Sequence, residues 1–333
     1  MKNMKTNRYV YNKMALSLVL FCLLVPAYSF AKAAEQEIKI SHNIEYSSAV
    51  NHKKRSQPLL LDIYQLPKLN QTKRPVIILV HGGGFGGGDK GFTESQGSFY
   101  PDMAKAFVRE GFVAFSVNYR LWPDCPADSF HIELQNAVSD VLEAVKWIKS
   151  KGTDYGIDTT KIIICGDSAG GGLAVNVACC NVHLFSGCID MWGGLPPYGI
   201  SHATEKPVNA CEIGKETPPI CIIHGTAYDV IPYNTSKKFS DSLTGAGIYN
   251  ELHPLPGASH YPIQLTNQVI QIALAFSKRI IAGEAGNTLG NRVISNRVAA
   301  RLEYASNVIF EDNSFEEKDV VIGPGCEKST NSK

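Results

Sequence analysis

A single serine stands out as a candidate nucleophile, because Ser168 is the centre of the pentapeptide Gly166-Asp167-Ser168-Ala169-Gly170. An apolar, β-branched run at 161–165 precedes it, and a run of small residues typical of a helix follows at 171–178. Strand, Gly-x-Ser-x-Gly and helix together predict a nucleophile elbow, a strained turn that lifts the serine hydroxyl above a sheet. The pattern predicts attack of this hydroxyl on a carbonyl carbon. The alternative is a glycine-rich loop with a chance serine.

A serine hydroxyl needs a general base, and the base needs a group that orients it. The elbow pattern predicts the chain order Ser, Asp or Glu, His. Asp229 lies 61 residues after Ser168, and His260 follows 31 residues later, each just past a predicted strand. Asp229 could instead be a turn residue, and His260 a solvated loop histidine. His224 and His253 are rival bases, but both lie inside strand patterns with less freedom to reach the serine.

A third element of the chemistry is the stretch His81-Gly82-Gly83-Gly84-Phe85, which follows a buried-strand run at 75–80. Glycines let the backbone come close to a substrate carbonyl and direct N–H groups at it. We predict an oxyanion hole formed by the N–H groups of Gly83, Gly84 and Ala169. A phosphate-binding loop is disfavoured, because the pattern Gly-x-x-x-x-Gly-Lys-Ser/Thr is missing. We expect His81 to brace the loop rather than to act as a base.

These residues must be positioned by a regular framework. Apolar runs predict strands at 59–64, 76–80, 112–119, 161–165, 187–192, 219–225 and 251–255. Helical spacing occurs at 97–110, 131–151, 171–178, 234–243 and 263–281. Strands that alternate with helices predict an α/β fold, with a mostly parallel central sheet and helices on both faces.

Several motifs resemble those of the esterase and lipase group of the α/β-hydrolase superfamily and occur in that group's order, over about residues 55–282. The group carries His-Gly-Gly-Gly and Gly-Asp-Ser-Ala-Gly-Gly motifs and includes hormone-sensitive-lipase-like and BD-FAE-like acyl esterases. The segments 118–123, 140–148 and 224–232 are similar to further family segments. The resemblance implies an α/β-hydrolase fold. The short N-terminal stretch and the polar stretch at 193–217 indicate a minimal cap.

The chain is expected to divide into three parts. Residues 1–33 resemble a signal peptide, with a basic start, an apolar run at 15–25 and the cleavage site Ala31-Lys32-Ala33. An uncleaved amphipathic start is the alternative. Residues 34–282 would form the catalytic domain, and residues 283–333 a C-terminal extension of unknown role, either β-rich or partly disordered. Export to the periplasm or the medium follows from this interpretation. The apolar run is too short to span a bilayer, so no membrane span is expected after cleavage.

Net charge and cysteine spacing limit the classes of partner and cofactor that we expect. The formal charge of the 333-residue chain is +1, and the first 33 residues carry five basic and no acidic side chains, which leaves −4 on the remainder. This balance gives no basis for nucleic-acid binding. We expect no cofactor and no metal, because no Cys-x-x-Cys or zinc-type spacing occurs. Cys165 and Cys221 are expected to be core residues, and Cys188 and Cys211 to pair.

The motifs together predict a secreted serine carboxylic-ester hydrolase that forms an acyl-enzyme. The resemblance implies short-chain or carbohydrate-linked acyl esters, so the partner would be a small-molecule or polysaccharide-linked ester. One alternative is a serine exopeptidase of the prolyl-oligopeptidase type, which uses the same three residues. The other is a non-catalytic binding protein on this fold. Trp122, Trp192 and Tyr198 either line the substrate pocket or fill the core. The sequence leaves the oligomeric state open.

Overall fold

A computed structural model describes residues 37–51, 53–67, 73–91, 97, 99–121, 130–193, 213–227, 230–284 and 292–293. The chain divides into two units, Met1–Glu37 and Ile38–Lys333, and every assigned strand and helix belongs to the second. The predicted signal peptide, residues 1–33, lies outside the described residues. In the part of the chain that the structure describes, no helix has the length and apolar character to cross a membrane.

The described part of the chain forms one sheet of nine strands in the order β1-β2-β4-β3-β5-β6-β7-β8-β9. The strands are β1 (Lys39–Val50), β2 (Ser56–Gln65), β3 (Arg74–Val80), β4 (Val113–Val117), β5 (Ile157–Asp167), β6 (Gly187–Met191), β7 (Ile220–Gly225), β8 (Asn250–Leu255) and β9 (Arg292–Val293). Strand β2 pairs antiparallel with β1 and β4, and all the other pairs are parallel. The predicted, mostly parallel sheet is confirmed.

Helices connect the strands and cover both faces of the sheet. They are α1 (Phe99–Arg109), α2 (Phe130–Ser150), α3 (Gly152–Tyr155), α4 (Ala169–Cys180), α5 (Tyr233–Gly245) and α6 (Thr266–Ala282). Short 3-10 turns span Val182–Leu184 and Ile263–Leu265. Helix α6 therefore begins three residues later than the spacing predicts.

Two hydrophobic cores form because the strands of a parallel sheet are apolar on both faces. Helices α2, α4 and α5 pack on one face with residues such as Val145, Leu173 and Phe239. Helices α1 and α6 pack on the other face with residues such as Phe107 and Phe276. Helix α4 itself is buried almost throughout, which explains why its sequence is apolar on all sides.

The expected pairing of Cys188 with Cys211 is wrong. Cys188 is a free, fully buried thiol on the central strand β6. Side chains at such a position point into a core and cannot reach a loop. Cys165 and Cys221 are free and buried, as predicted. Cys180, at the end of α4, is disulfide-bonded.

Two predicted regions are only partly described. Of the extension 283–333, the short strand β9 pairs with Glu251 and Leu252 at the edge of the sheet. The polar stretch that should form the minimal cap lies largely outside the described residues, at 194–212. The minimal cap therefore stays a prediction.

Candidate active site

The predicted nucleophile lies on a sharp turn between β5 and α4. Ser168 has φ 48° and ψ −122°, a conformation that non-glycine residues rarely adopt. Such a conformation costs about 1–3 kcal/mol and persists only where the surroundings hold it. Here the Ser168 N–H donates to Met191 O at 2.9 Å, and its carbonyl accepts from Gly172 N–H at 3.1 Å. The turn therefore presents a half-buried hydroxyl at the carboxyl edge of the sheet.

The small residue two positions after the serine is required by a close backbone contact. A Cβ on Gly170 would lie 2.2 Å from Val80 O and 2.4 Å from His81 O. This contact brings α4 against the end of β3, where the glycine-rich loop begins. The elbow and that loop are therefore adjacent.

The predicted base reaches the predicted nucleophile. His260 Nε2 lies 2.8 Å from Ser168 Oγ, although the two residues are 92 positions apart in the chain. His260 follows β8, and the loop before it is held by a hydrogen bond from Ala258 N–H to Leu255 O at 3.2 Å. A hydroxyl and an imidazole at this distance can exchange a proton directly.

Asp229 lies outside the described residues, but the segments on both sides of it are fixed. Before it, Thr226 N–H donates to Leu255 O and Ala227 N–H donates to Ala258 O, both at 3.0 Å. These bonds tie the end of β7 to the loop that carries the histidine.

After Asp229, His224 holds the chain in place. Its Nε2–H donates to Ile231 O at 2.9 Å, and its Nδ1 lies 2.7 Å from Ser236 Oγ. This pairing makes His224 a structural brace of the segment after position 229, and excludes it as the base.

The glycine-rich loop leaves backbone donors free for a substrate. Gly86 and Gly87 N–H both donate to Gly83 O, so the loop closes as a tight turn. Gly83 has φ 113°, which only glycine adopts readily. Among the described residues, no protein group accepts a hydrogen bond from the N–H of Gly83, Gly84 or Ala169.

A buried carboxylate joins this loop to the elbow, and sequence reasoning missed it. Asp167 is 1% exposed, and its Oδ1 accepts from Gly82 N–H at 2.7 Å. The Tyr100 hydroxyl donates to the same oxygen. Burial and the nearby Asp167 carboxylate raise the pKa of Tyr100 well above its usual value, so the phenol stays protonated and can donate.

The position of Asp167 two residues after a predicted buried strand was the available signal, because a buried carboxylate must be hydrogen-bonded. Tyr100 gave no signal, since an aromatic in an amphipathic helix is most often a core residue.

His81 braces the other side of the loop, as the sequence predicts. Its Nδ1–H donates to Gly82 O at 2.8 Å, and its ring stacks on Tyr119 with 4.5 Å between ring centroids. The Tyr119 hydroxyl donates to His81 O at 2.8 Å. Burial lowers the pKa of His81 from 6.5 to about 4, so the ring is neutral near pH 7.

Aromatic side chains pack against Tyr261, the residue that follows His260. Trp192 is fully buried, and its ring packs edge-on against Tyr261, with 5.9 Å between ring centroids. Phe99 contacts both rings, at 6.2 Å from Trp192 and 5.9 Å from Tyr261. Trp192 is therefore a core residue that packs against the neighbour of His260. Trp122 and Tyr198 lie outside the described residues.

One buried group of side chains has metal-ligand types, on β7 and β8. Ligand atoms of Cys221, Glu251 and His253 all lie within 4.8 Å of one another. However, Arg279 Nη2 lies 2.6 Å from both carboxylate oxygens of Glu251, and Tyr249 OH donates to one of them. The guanidinium neutralises this carboxylate and would repel a cation.

The pKa of Glu251 reflects the same contacts. Burial by itself raises it, but the His253 hydrogen bond and the Arg279 charge outweigh burial and lower it to about 2. The cluster is therefore a buried ion pair.

Comparison with known proteins finds similarity to esterases. The BD-FAE family model matches residues 61–192, which include the glycine-rich loop and the elbow. Esterase LipQ of Mycobacterium tuberculosis is 25% identical over 281 residues, which cover 73% of this chain and 61% of LipQ. Esterase LipI of the same organism is 33% identical over 122 residues, 36% of this chain and 34% of LipI. The chain thus spans less than two thirds of either relative.

Solved structures show the same fold. A truncated carbohydrate esterase from gut microbiota superposes with a TM-score of 0.57 at 19% identity, over 75% of this chain and 99% of that one. Est2 of Thermogutta terrifontis, a thermophilic esterase, superposes with a TM-score of 0.55 at 22% identity, over 75% and 94% of the two chains.

Proposed function

Because part of the chain matches the BD-FAE family model and the chain is similar to esterases, we propose that it is a serine carboxylic-ester hydrolase that acts through an acyl-enzyme. One observation carries the proposal: the Ser168 hydroxyl lies 2.8 Å from His260 Nε2 on a strained elbow. A half-buried hydroxyl in this position is paired with a base, as nucleophilic catalysis requires.

In the proposed mechanism, His260 Nε2 takes the proton of Ser168 while Oγ attacks the ester carbonyl carbon. The resulting oxyanion accepts hydrogen bonds from the N–H groups of Gly83, Gly84 and Ala169. His260 then gives its proton to the departing alcohol, which leaves an ester between the acyl group and the serine. Water, deprotonated by the same imidazole, hydrolyses that ester and restores the free enzyme.

We assign the orienting role to Asp229. The hydrogen bonds of Thr226 and Ala227 to the loop before His260 support this assignment, because they join the chain just before position 229 to the loop that carries His260. An aspartate there would hold Nδ1 protonated and stabilise the imidazolium. Asp229→Asn should therefore lower kcat by about 10⁴-fold through the wrong tautomer.

The test of the nucleophile is Ser168→Ala with p-nitrophenyl acetate as the substrate. We expect kcat to fall by about 10⁶-fold, because triad members act as a unit. Ser186→Ala, which alters a serine that donates to Thr160 O on the surface, is the matched control and should keep full activity. Retained turnover by Ser168→Ala would refute the assignment.

Two further assays on the same protein preparation distinguish the esterase from a non-catalytic binding protein and from an exopeptidase. A fluorophosphonate probe should label the wild-type protein and not Ser168→Ala, whereas a non-catalytic binding protein would not react. An exopeptidase would cleave amino-acyl p-nitroanilides, which a carboxylic-ester hydrolase would leave intact.

We propose short-chain or carbohydrate-linked acyl groups as the substrate class. The superposed carbohydrate esterase supports this class. A series of p-nitrophenyl esters of increasing chain length, together with acetylated xylan and methyl ferulate, would identify the acyl group. Falling kcat/KM beyond short chains is the expected result.

We also propose that the protein is exported, to the periplasm or the medium. The signal-like residues 1–33 and the disulfide-bonded Cys180 support this location, because structural disulfides persist in oxidising compartments. Mass spectrometry of the mature protein should show a new N-terminus after Ala33.

A further inference from the structure

A cavity on the described part of the chain lies away from Ser168 and takes no part in the proposed mechanism. It has a volume of about 560 Å³, within the usual range for small-molecule sites. Asp62 of β2 lines it, and Asp62 pairs with Ser116, Ser116 with Leu79, and Leu79 with Cys165. Three strand spacings of about 4.8 Å each separate it from β5 by about 14 Å. A ligand here would not need to touch Ser168.

The floor of the cavity is a buried and fully engaged carboxylate. Asp62 is 2% exposed. Its Oδ1 accepts from Asn43 N–H at 2.9 Å, and Lys90 Nζ lies 3.3 Å from the same oxygen. His42 Nδ1–H donates to Oδ2 at 2.7 Å. Removing two opposite charges from water is costly, and this cost can cancel the attraction between them. The buried pair of Asp62 and Lys90 therefore need not stabilise the fold, and we look for a functional explanation.

The backbone at the cavity is irregular in a way that places His42 there. The pairing of β1 with β2 shifts register between Ser41 and Ile44, and Asn43 between them has φ 55°. Bulges of this kind redirect side chains and are common next to binding sites. The bulge turns the His42 imidazole onto Asp62 while leaving most of the ring exposed.

Hydrogen-bonding capacity remains at the cavity wall. The Lys90 side chain is 7% exposed, and its ammonium has only two charged contacts among the described residues, to Asp62 at 3.3 Å and Asp89 at 3.8 Å. Three N–H groups on that nitrogen leave at least one donor for a ligand. Asp89 accepts from Gly91 N–H at 2.8 Å and from Asn118 Nδ2–H at 2.7 Å. Each oxygen of the Asp89 carboxylate keeps a second lone pair for a ligand.

The charges around the cavity cancel. Asp62 and Asp89 contribute two negative charges, and Lys90 and Lys105 contribute two positive charges. Because the charges that line the cavity compensate each other in number, a ligand does not need to bring a charge. It needs groups that both donate and accept hydrogen bonds, and hydroxyl groups do both. We infer that this cavity binds a neutral polyhydroxylated molecule such as a sugar.

The test is a titration of the full chain with methyl β-D-glucoside, in which saturation-transfer NMR measures binding. We expect saturable binding, with Lys90→Met raising Kd at least fivefold and His42→Ala about threefold. Lys146→Met, which changes an exposed lysine on α2, is the matched control and should leave Kd unchanged. Ser168→Ala should also leave Kd unchanged, because the cavity is distant from the serine.

Each possible binding result either supports or overturns the inference that the cavity binds a sugar. If Lys90→Met fails to fold, His42→Ala alone decides, since its side chain is exposed and its loss should not unfold the protein. Binding that does not saturate, or that neither cavity variant weakens, overturns the inference. Binding lost in Ser168→Ala places the sugar at the catalytic serine and also overturns it. Acetate or glycine that binds the cavity more tightly than the glucoside shows that the ligand is charged, and the inference is then wrong.

Discussion

Acid should destabilise this protein through His81, the first residue of the glycine-rich loop. Its folded pKa of about 4 lies below the unfolded value of 6.5. Between these two values the unfolded chain binds a proton that the folded protein does not, so the free energy of unfolding falls as pH falls. Each tenfold change in proton affinity is worth about 1.4 kcal/mol, and the full effect is about 3 kcal/mol.

The measurement is urea unfolding at a series of pH values from 7 to 4.5, where about 2 kcal/mol of this loss should be visible. The range ends at pH 4.5 because the contribution of Glu251, with a folded pKa of about 2 and an ordinary value of 4.5, becomes large below it. His81→Gln replaces the imidazole with a side chain that does not titrate. It should lower stability at pH 7 through the lost stacking on Tyr119, by about 1 kcal/mol.

The decisive quantity is the pH dependence, not the absolute stability. His81→Gln should lose about 2 kcal/mol less than the wild type between pH 7 and 4.5. His183→Gln, which changes an exposed histidine, is the matched control and should follow the wild type. If His81→Gln loses as much stability as the wild type over this range, the ring is not buried and neutral as the contacts indicate. The reasoning about the loop would then fail.

Three further substitutions test the framework of the site. Gly170→Ala should lower the free energy of unfolding by at least about 3 kcal/mol in urea, because the new methyl group would lie 2.2 Å from a backbone oxygen; a fully stable variant would contradict the close contact. Tyr100→Phe removes the hydroxyl bound to Asp167 and should cost about 1.5–3 kcal/mol of stability, with a lower kcat and an unchanged KM for p-nitrophenyl acetate; an unchanged kcat would show that this bond does not position the loop. Glu251→Gln leaves Arg279 unpaired and should cost about 3 kcal/mol in urea while kcat stays the same; a changed kcat would connect this ion pair to catalysis.

Local sequence determined the elbow and the order of its partners. Gly166, Ser168 and Gly170 lie within five residues of one another between a strand pattern and a helix pattern, so their spacing is enough to predict the turn. Apolar runs predict the strands, and a parallel sheet brings the carboxyl ends of those strands to one edge. The proximity of His260 to Ser168 follows from that arrangement, and for this reason it could be expected without coordinates.

Contacts between distant segments could not be read in this way. The bond from Gly82 N–H to Asp167 joins residues 85 positions apart. The cavity depends on a bulge in β1, a carboxylate in β2 and a lysine after β3. Cys188 was expected to pair because it borders a loop, yet β6 places it in the core. The sequence alone therefore determined which residues could do the chemistry, because strand and turn patterns are short-range. Only the tertiary structure decided which buried polar groups support them, because hydrogen-bond partners depend on which strands become neighbours.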